Sequence, residues 1–469
     1  MSAPKLAALR PAQTVQEDLA RRLAVSAWHR PATARLQEWM ATCRQRSPQA
    51  VRRVPFGELA GWSVAPGSGD LVHDSGRFFA VRGIQVRTNH GHVPQWWQPI
   101  IHQPETGILG FLAKEFNGVL HLLAQVKTEP GNVNPAQLSP TVQATRSNYL
   151  RAHRGAAVPY LEYFLQRRGQ VLVDVLQSEQ GSWFLGKQNR NMVLEVTEDI
   201  EHDDDFAWLT LGQIYELMRH PNLVNMDTRT VLACLPIRAE PPDWHAGPAA
   251  PLSLASGSGA EHHRSGMSGW LARRKAHYQL STSLVPLNHV LDWHRRPWEI
   301  CHRTGKYFSI VGVAVAATNR EVRTWCQPLL QPCGDGLVAF VIHRGAEGLR
   351  VLVHADVRPG YRHVVEIGPT VQCTPLNFAD SPGRQPEFVD LVLSEDVVVH
   401  YDVPQSEEGG RFHHAVTRHL IVEVSDPAAL GTPPDYFWIT LAELSDRIRS
   451  GFQVNIEARS LFACLQTLC

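Results

Sequence analysis

The chain has 469 residues, 45 basic and 45 acidic, and 43% of it is apolar. That length exceeds one ordinary core and suits two domains of about 200 residues each. The balanced charge excludes a strong field for nucleic acid or an anionic membrane, so an anionic ligand would need locally placed cations. Eight cysteines without a Cys-x-x-Cys pair, an opening stretch without a secretory apolar core, and no run near the ~20 apolar residues of a bilayer span predict a reduced, soluble, cytoplasmic protein.

In chain order, residues 1–50 form an arm whose Leu23, Trp28, Leu36 and Trp39 predict helix packed on a neighbour. Over 51–238, apolar runs at Phe78 to Val86, Ile108 to Ala113, Val119 to Val126 and Val171 to Leu176 have strand length and are bounded by Gly, Asn and Pro. Thr210 then reads as an N-cap before the helical spacing of Leu211, Ile214, Tyr215 and Met218. Residues 239–267, rich in Pro, Gly, Ala and Ser, predict a linker, and the His262-His263 pair there reads as solvated loop. Residues 268–469 repeat the pattern, with runs at Phe308 to Val315, Gly336 to Ile342, Leu349 to Val353 and Val397 to Tyr401, and Thr440 before Leu441.

The second half copies the first. Pro55-Phe-Gly-Glu-Leu-Ala-Gly-Trp62 matches Pro286-Leu-Asn-His-Val-Leu-Asp-Trp293, and Trp39 matches Trp270. Pro140-Thr-Val-Gln-Ala-Thr145 matches Pro369-Thr-Val-Gln-Cys-Thr374, Gln177-Ser-Glu179 matches Gln405-Ser-Glu407, and Ala233-Cys-Leu235 matches Ala463-Cys-Leu465. Similarity held in order over such a length is the mark of an internal duplication. The expected class is α+β, with two mixed sheets carrying helices. No Gly-x-Gly-x-x-Gly turn, phosphate loop, Gly-x-Ser-x-Gly elbow or His-Glu-x-x-His helix occurs, so neither a dinucleotide, an ATPase site, a serine hydrolase nor a zinc protease is indicated, and no cofactor or metal is expected.

Three polar tracts of the first copy hold the candidates for chemistry. In Gln125-Val-Lys-Thr-Glu129, strand alternation puts Lys127 and Glu129 on one face, where a lysine beside a carboxylate can act as acid, base or oxyanion partner; a solvated pair at a strand end fits the same residues. Gln143 to Arg154 brings Asn148, Tyr149 and Arg151 together, suited to a diphosphate and a stacked base; an ordinary surface helix with spare arginines would look the same. Glu179, Trp183, Lys187 and Arg190 belong to a third tract that reads as a binding loop. The copies agree at Thr141/Thr370, Gln143/Gln372, Glu179/Glu407 and Arg190/Arg418. They differ where Lys127 and Glu129 face Asp356 and Arg358, so the first copy is expected to be the active one.

On the stretches HDSGRFFAVRG, WWQPIIHQPETGILGFL, LLAQVKTEPGNVNPAQLSPTVQATRSNYLRAH, YLEYF and LQSEQGSWF, the chain resembles the NDP-hexose 2,3-dehydratase family of deoxysugar biosynthesis. The resemblance implies a homodimer of subunits with two Nudix-like domains, although neither copy carries a Nudix metal box. It implies removal of the C2 hydroxyl from TDP-4-keto-6-deoxy-D-glucose, with a downstream 3-ketoreductase acting on the labile product. Under it Lys127 and Glu129 become acid/base candidates, with Tyr160 and Glu179 in reserve. Arg151 and Arg190 would hold the diphosphate, Trp183 or Tyr149 the thymine. Gln143, Asn148, Lys187, Thr370, Gln372 and Arg418 complete the expected binding residues.

Overall fold

A computed structural model describes residues 12–31, 33–149, 156–236, 260–318, 322–345, 348–380 and 384–468. The described strands form two five-stranded and two seven-stranded sheets, one of each size per half, with helices against them. In the first seven-stranded sheet, Gly107–Phe116 runs parallel to Gln188–Glu195 and antiparallel to Val119–Thr128, so the sheet is mixed. The second half repeats this with Gly336–Gly345, Val416–Glu423 and Gly348–Asp356. The tight turn after Gly107–Phe116 is made by Asn117 and Gly118, whose φ angles of 51° and 81° give the positive-φ pair that matches the twist of a hairpin. Thr141 and Thr370 are structural in both halves: each hydroxyl donates to a strand carbonyl, Leu123 or Leu352, and accepts a backbone N–H, from Leu112 or Val341, at 2.9 Å.

The five-stranded sheets are built by exchange. Gln49–Val54, from the start of the first copy, pairs with Phe308–Ala317 of the second, while its counterpart Leu280–Val285 pairs with Ala80–Thr88 of the first. Each half therefore completes a sheet of the other.

Thr210 caps Leu211–Met218 in a capping box with Gln213, and Thr440 caps Leu441–Arg449, as their sequence patterns indicate. Ala12–Trp28 and Thr33–Arg46 pack on the first half, where Ser26 Oγ donates to Leu120 O at 2.6 Å and accepts from Leu211 N at 2.9 Å. Trp39 and Trp270 play matched parts, each indole N–H donating to a carbonyl, Asp204 at 2.8 Å and Pro434 at 3.0 Å. Composition places 239–267 in a linker, yet helix Ala260–His277 begins within it and includes His262 and His263. Burial of Met267, Trp270 and Leu271 outweighs the poor helix propensity of Gly266 and Gly269. The remainder of that stretch, up to residue 259, lies outside the described residues.

The halves meet along helices Met226–Ala233 and Ile456–Gln466, where two fully buried arginines occupy equivalent places. Arg229 donates to Ser460 Oγ at 2.7 Å, to Val224 O at 2.6 Å and to Ser406 O at 2.8 Å. Arg459 donates to Thr230 Oγ1 at 3.0 Å, to Val454 O at 2.6 Å and to Ser178 O at 2.6 Å. Each therefore ties its own helix start to a main-chain carbonyl of the opposite half. Two loops interlock beside them: a Cβ at Gly131 would lie 1.6 Å from Phe412 O, and one at Gly360 would lie 1.7 Å from Phe184 O, so only glycine permits either approach. Removing the guanidinium in Arg229→Ala or Arg459→Ala leaves carbonyls of both halves unpaired. Each should cost about 3–5 kcal/mol of stability by denaturant titration.

The seam also buries acids. Glu366 accepts from Ser178 Oγ at 2.6 Å and is pushed up to about 7 by burial, and burial pushes Glu457 up to about 8. A folded pKa raised above the unfolded one gives stability that is whole below the ordinary glutamate range and is lost as pH rises through the folded value. Raising the pH from about 5 to about 8 should therefore destabilise the protein, and Glu457→Gln should flatten the upper part of that loss in melting experiments.

Candidate active site

A cavity of about 930 Å³ opens between the halves. From the first half, Lys127 at the end of Val119–Thr128, Glu129, Gln143 and Lys187 face it; from the second, Glu408 and Arg411 do. Exchanged strand Gln49–Val54 and its partner Phe308–Ala317 supply a further wall through Val51 and Val315. The pocket thus depends on the duplication being folded onto itself.

Gln143 organises the centre. Its Nε2 donates to Glu129 Oε1 at 2.9 Å, while its Oε1 accepts from Lys127 Nζ at 3.2 Å and from Asn225 Nδ2 at 3.4 Å. Lys127 Nζ stands 4.0 Å from Glu129 Oε1, and both side chains are largely buried. A cation and a carboxylate held apart by one amide, at the wall of a partly desolvated pocket, can divide a proton transfer between them.

On the neighbouring wall, Lys187 Nζ donates to Glu105 O at 2.7 Å, and burial lowers its pKa against the pull of Glu179 and Glu408. Arg411 donates to Gln103 Oε1 at 3.1 Å, and its guanidinium lies 4.4 Å from the centre of the Phe79 ring. Burial raises Glu408, and burial followed by the charge of Glu408 pushes Glu179 up to about 7. Glu179 sits behind the wall, accepting from Asn189 Nδ2, and Asn189 itself faces the cavity.

Other expected site residues lie elsewhere. Tyr160 donates its hydroxyl to Glu201 O at 2.9 Å and packs edge-on against Phe206. Trp183 packs on Phe412, with ring centres 4.6 Å apart, inside an apolar cluster at the seam. Arg190 grips Asp174 with two bonds of 2.6 Å, and Arg418 grips Asp402 with two of 2.7 Å; these matched pairs brace the same strand pairing in each half. Asn148 and Tyr149 belong to the short helix Arg146–Tyr149, with their side chains outside the described residues, as is all of Arg151.

The second copy retains the frame of this centre and fills it. Gln372 Oε1 accepts from Asn455 Nδ2 at 2.9 Å, as Gln143 does from Asn225. At the Lys127 and Glu129 positions, however, Arg358 Nε donates to Asp356 Oδ1 at 2.8 Å, and Tyr361 closes on Asp356 Oδ2 at 2.6 Å. Burial alone would raise Asp356, yet Arg358 and His354 hold it well below the usual carboxylate range. A paired acid fixed in this way is a poor proton carrier near neutrality.

Asp227, Glu408 and Arg411 were not among the residues singled out from sequence. Nothing in the sequence said that the loop holding Arg411 would cross into the first copy's pocket.

A model of a family described as NDP-hexose 2,3-dehydratase matches residues 33–235 and again 264–465. A dTDP-4-dehydro-6-deoxy-alpha-D-glucopyranose 2,3-dehydratase of Saccharopolyspora spinosa is 49% identical over 440 residues, covering 92% of this chain and 90% of the relative. Proteins of the same name from Amycolatopsis orientalis and Streptomyces violaceoruber are each 43% identical, covering 98% and 93% of this chain and 96% and 97% of themselves. With both halves matched and such identity along nearly the whole length, the chain belongs to the NDP-hexose 2,3-dehydratase family.

Proposed function

We propose that the protein dehydrates TDP-4-keto-6-deoxy-D-glucose across C2 and C3. The observation that carries this reading is the Lys127–Gln143–Glu129 cluster in the cavity between the halves. The C4 ketone acidifies the C3 proton. Glu129 removes that proton, and the Lys127 ammonium stabilises the charge that develops on the C4 oxygen. The carbonyl then re-forms, a C2=C3 double bond appears, and the C2 hydroxyl leaves as water. The resulting enol tautomerises to the 3,4-diketo-2,6-dideoxy sugar. Atoms and electrons balance without a redox partner.

Lys187 and Arg411 would face the diphosphate. Tyr160 and Glu179, given their partners, would act only indirectly, and Trp183, Arg190, Thr370, Gln372 and Arg418 would serve the frame. A vicinal diketone is labile, which favours prompt reduction at C3 by a ketoreductase in a natural-product pathway. The Nudix-like character of each half is supported by its mixed seven-stranded sheet; a homodimeric, cytoplasmic enzyme is the accompanying expectation. Among the described residues no helix is long and apolar enough to cross a membrane.

Incubation with TDP-4-keto-6-deoxyglucose in metal-free buffer, followed by mass spectrometry, should show loss of one water, or release of TDP as the diketone decomposes. Unchanged substrate would sink the reading, and cleavage within the diphosphate would indicate a Nudix-like hydrolase. Glu129→Gln and Lys127→Met should each lower kcat/KM by about 10²- to 10⁴-fold. Arg411→Ala, which removes a binding cation contributed by the second half, should raise KM about tenfold with kcat little changed.

A further inference from the structure

The elimination needs a proton for the departing hydroxyl as well as a base for C3, and the Lys127–Glu129 pair accounts for only one end of that transfer. A second carboxyl stands in the same cavity. Asp227 is 3% exposed and lines the pocket. It is the second residue of helix Met226–Ala233, whose cap Asn225 accepts from Thr228 N at 2.8 Å and donates to Gln143 Oε1 and to Ser139 Oγ. The amide that spaces Lys127 from Glu129 is thus bonded to the residue that fixes the start of Asp227's helix.

The surroundings of Asp227 favour its neutral form. Burial acts first, and the charges of Glu408, Glu179 and Glu129 act in the same direction; together they hold it well above the usual carboxylate range against the opposing pull of Lys127. The helix N-terminus also favours a carboxylate, but it is the weaker influence on a buried group facing three acids. Among the described residues no hydrogen bond or ion pair engages the carboxyl, so its proton can be directed into the cavity.

We propose that Asp227 is the acid that protonates the departing C2 hydroxyl, an assignment that rests on the dehydratase reading. Glu129 takes the C3 proton, and the electron pair of that C–H bond becomes the enolate. As the C2–O bond breaks, the electrons of the enolate form the C2=C3 bond, and the Asp227 proton passes to the leaving oxygen to make water. Asp227 ends as a carboxylate and Glu129 as an acid, so one proton must return through the pocket before the next turnover.

The test uses the intact protein with TDP-4-keto-6-deoxyglucose in D₂O, following deuterium at C3 and water loss separately. Asp227→Asn should eliminate water about 10²- to 10⁴-fold more slowly while still exchanging the C3 proton within a few-fold of the parent rate. With the 2-fluoro analogue, whose fluoride leaves without being protonated, the variant and parent should react within about threefold of each other, since the general acid then contributes little. Elimination of water by the variant at the parental rate, or loss of exchange together with elimination, would overturn the assignment. If Asp227→Asn does not fold, the parent decides. Its rate with the hydroxyl substrate should fall on an alkaline limb that the fluoro analogue lacks, and a limb shared by both substrates, or absent from both, would overturn it. Lys127, Glu129, Glu179 and Glu408 face Asp227 and also shape that limb, so the difference between the two substrates is what is read. A parent protein that loses no water overturns the dehydratase reading, whereas a parent that eliminates beside an equally active variant overturns Asp227 alone.

Discussion

The reciprocal burial of Arg229 and Arg459 is the constraint on which the remaining architecture depends. A guanidinium removed from water is costly unless its donors are satisfied, and here three bonds per arginine are supplied partly by the residue's own half and partly by the other. Neither half can meet that requirement alone. Once the two helices are docked, the strand exchange between Gln49–Val54 and Leu280–Val285 and the glycine contacts at Gly131 and Gly360 have fixed positions to occupy. The halves form one unit rather than two domains on a tether.

That union explains how two copies of one duplicated frame come to line a shared cavity. The frame is kept in both copies: a threonine locking two strands, an Asn-capped helix, a Gln receiving the cap's amide, and an Arg–Asp brace. The chemistry differs. In the second copy Asp356, Arg358 and Tyr361 satisfy one another and fill the space. In the first, Lys127 and Glu129 are held apart by Gln143 and face a cavity. The second copy then contributes through its loop, with Glu408 and Arg411 reaching the pocket of the first.

The centre concentrates buried acids and cations. Glu179, Glu408 and Asp227 are all raised, each chiefly by burial, while Lys187 is lowered by it. Burial is the common cause, and in each group it disfavours the charged form.

The sequence by itself determined the duplication, the mixed α+β character, the strand runs, the Thr210 and Thr440 caps, and the tract around Lys127 and Gln143. These are written in local patterns: period-2 and helical burial, turn residues such as Asn117-Gly118, and two stretches of chain that can be laid side by side. It marked Arg190 and Arg418 as shared but not why, since an arginine shaped to grip a diphosphate also grips Asp174 sixteen residues away in sequence. Only the tertiary structure decided that the copies exchange strands, that helix Ala260–His277 extends back into a Gly- and Ser-rich stretch, and that Asp227, Glu408 and Arg411 meet Lys127. The reason is physical. Local pattern records which face of an element is buried, whereas the partner that buries it, and the charges that partner brings, depend on packing between segments far apart in the sequence.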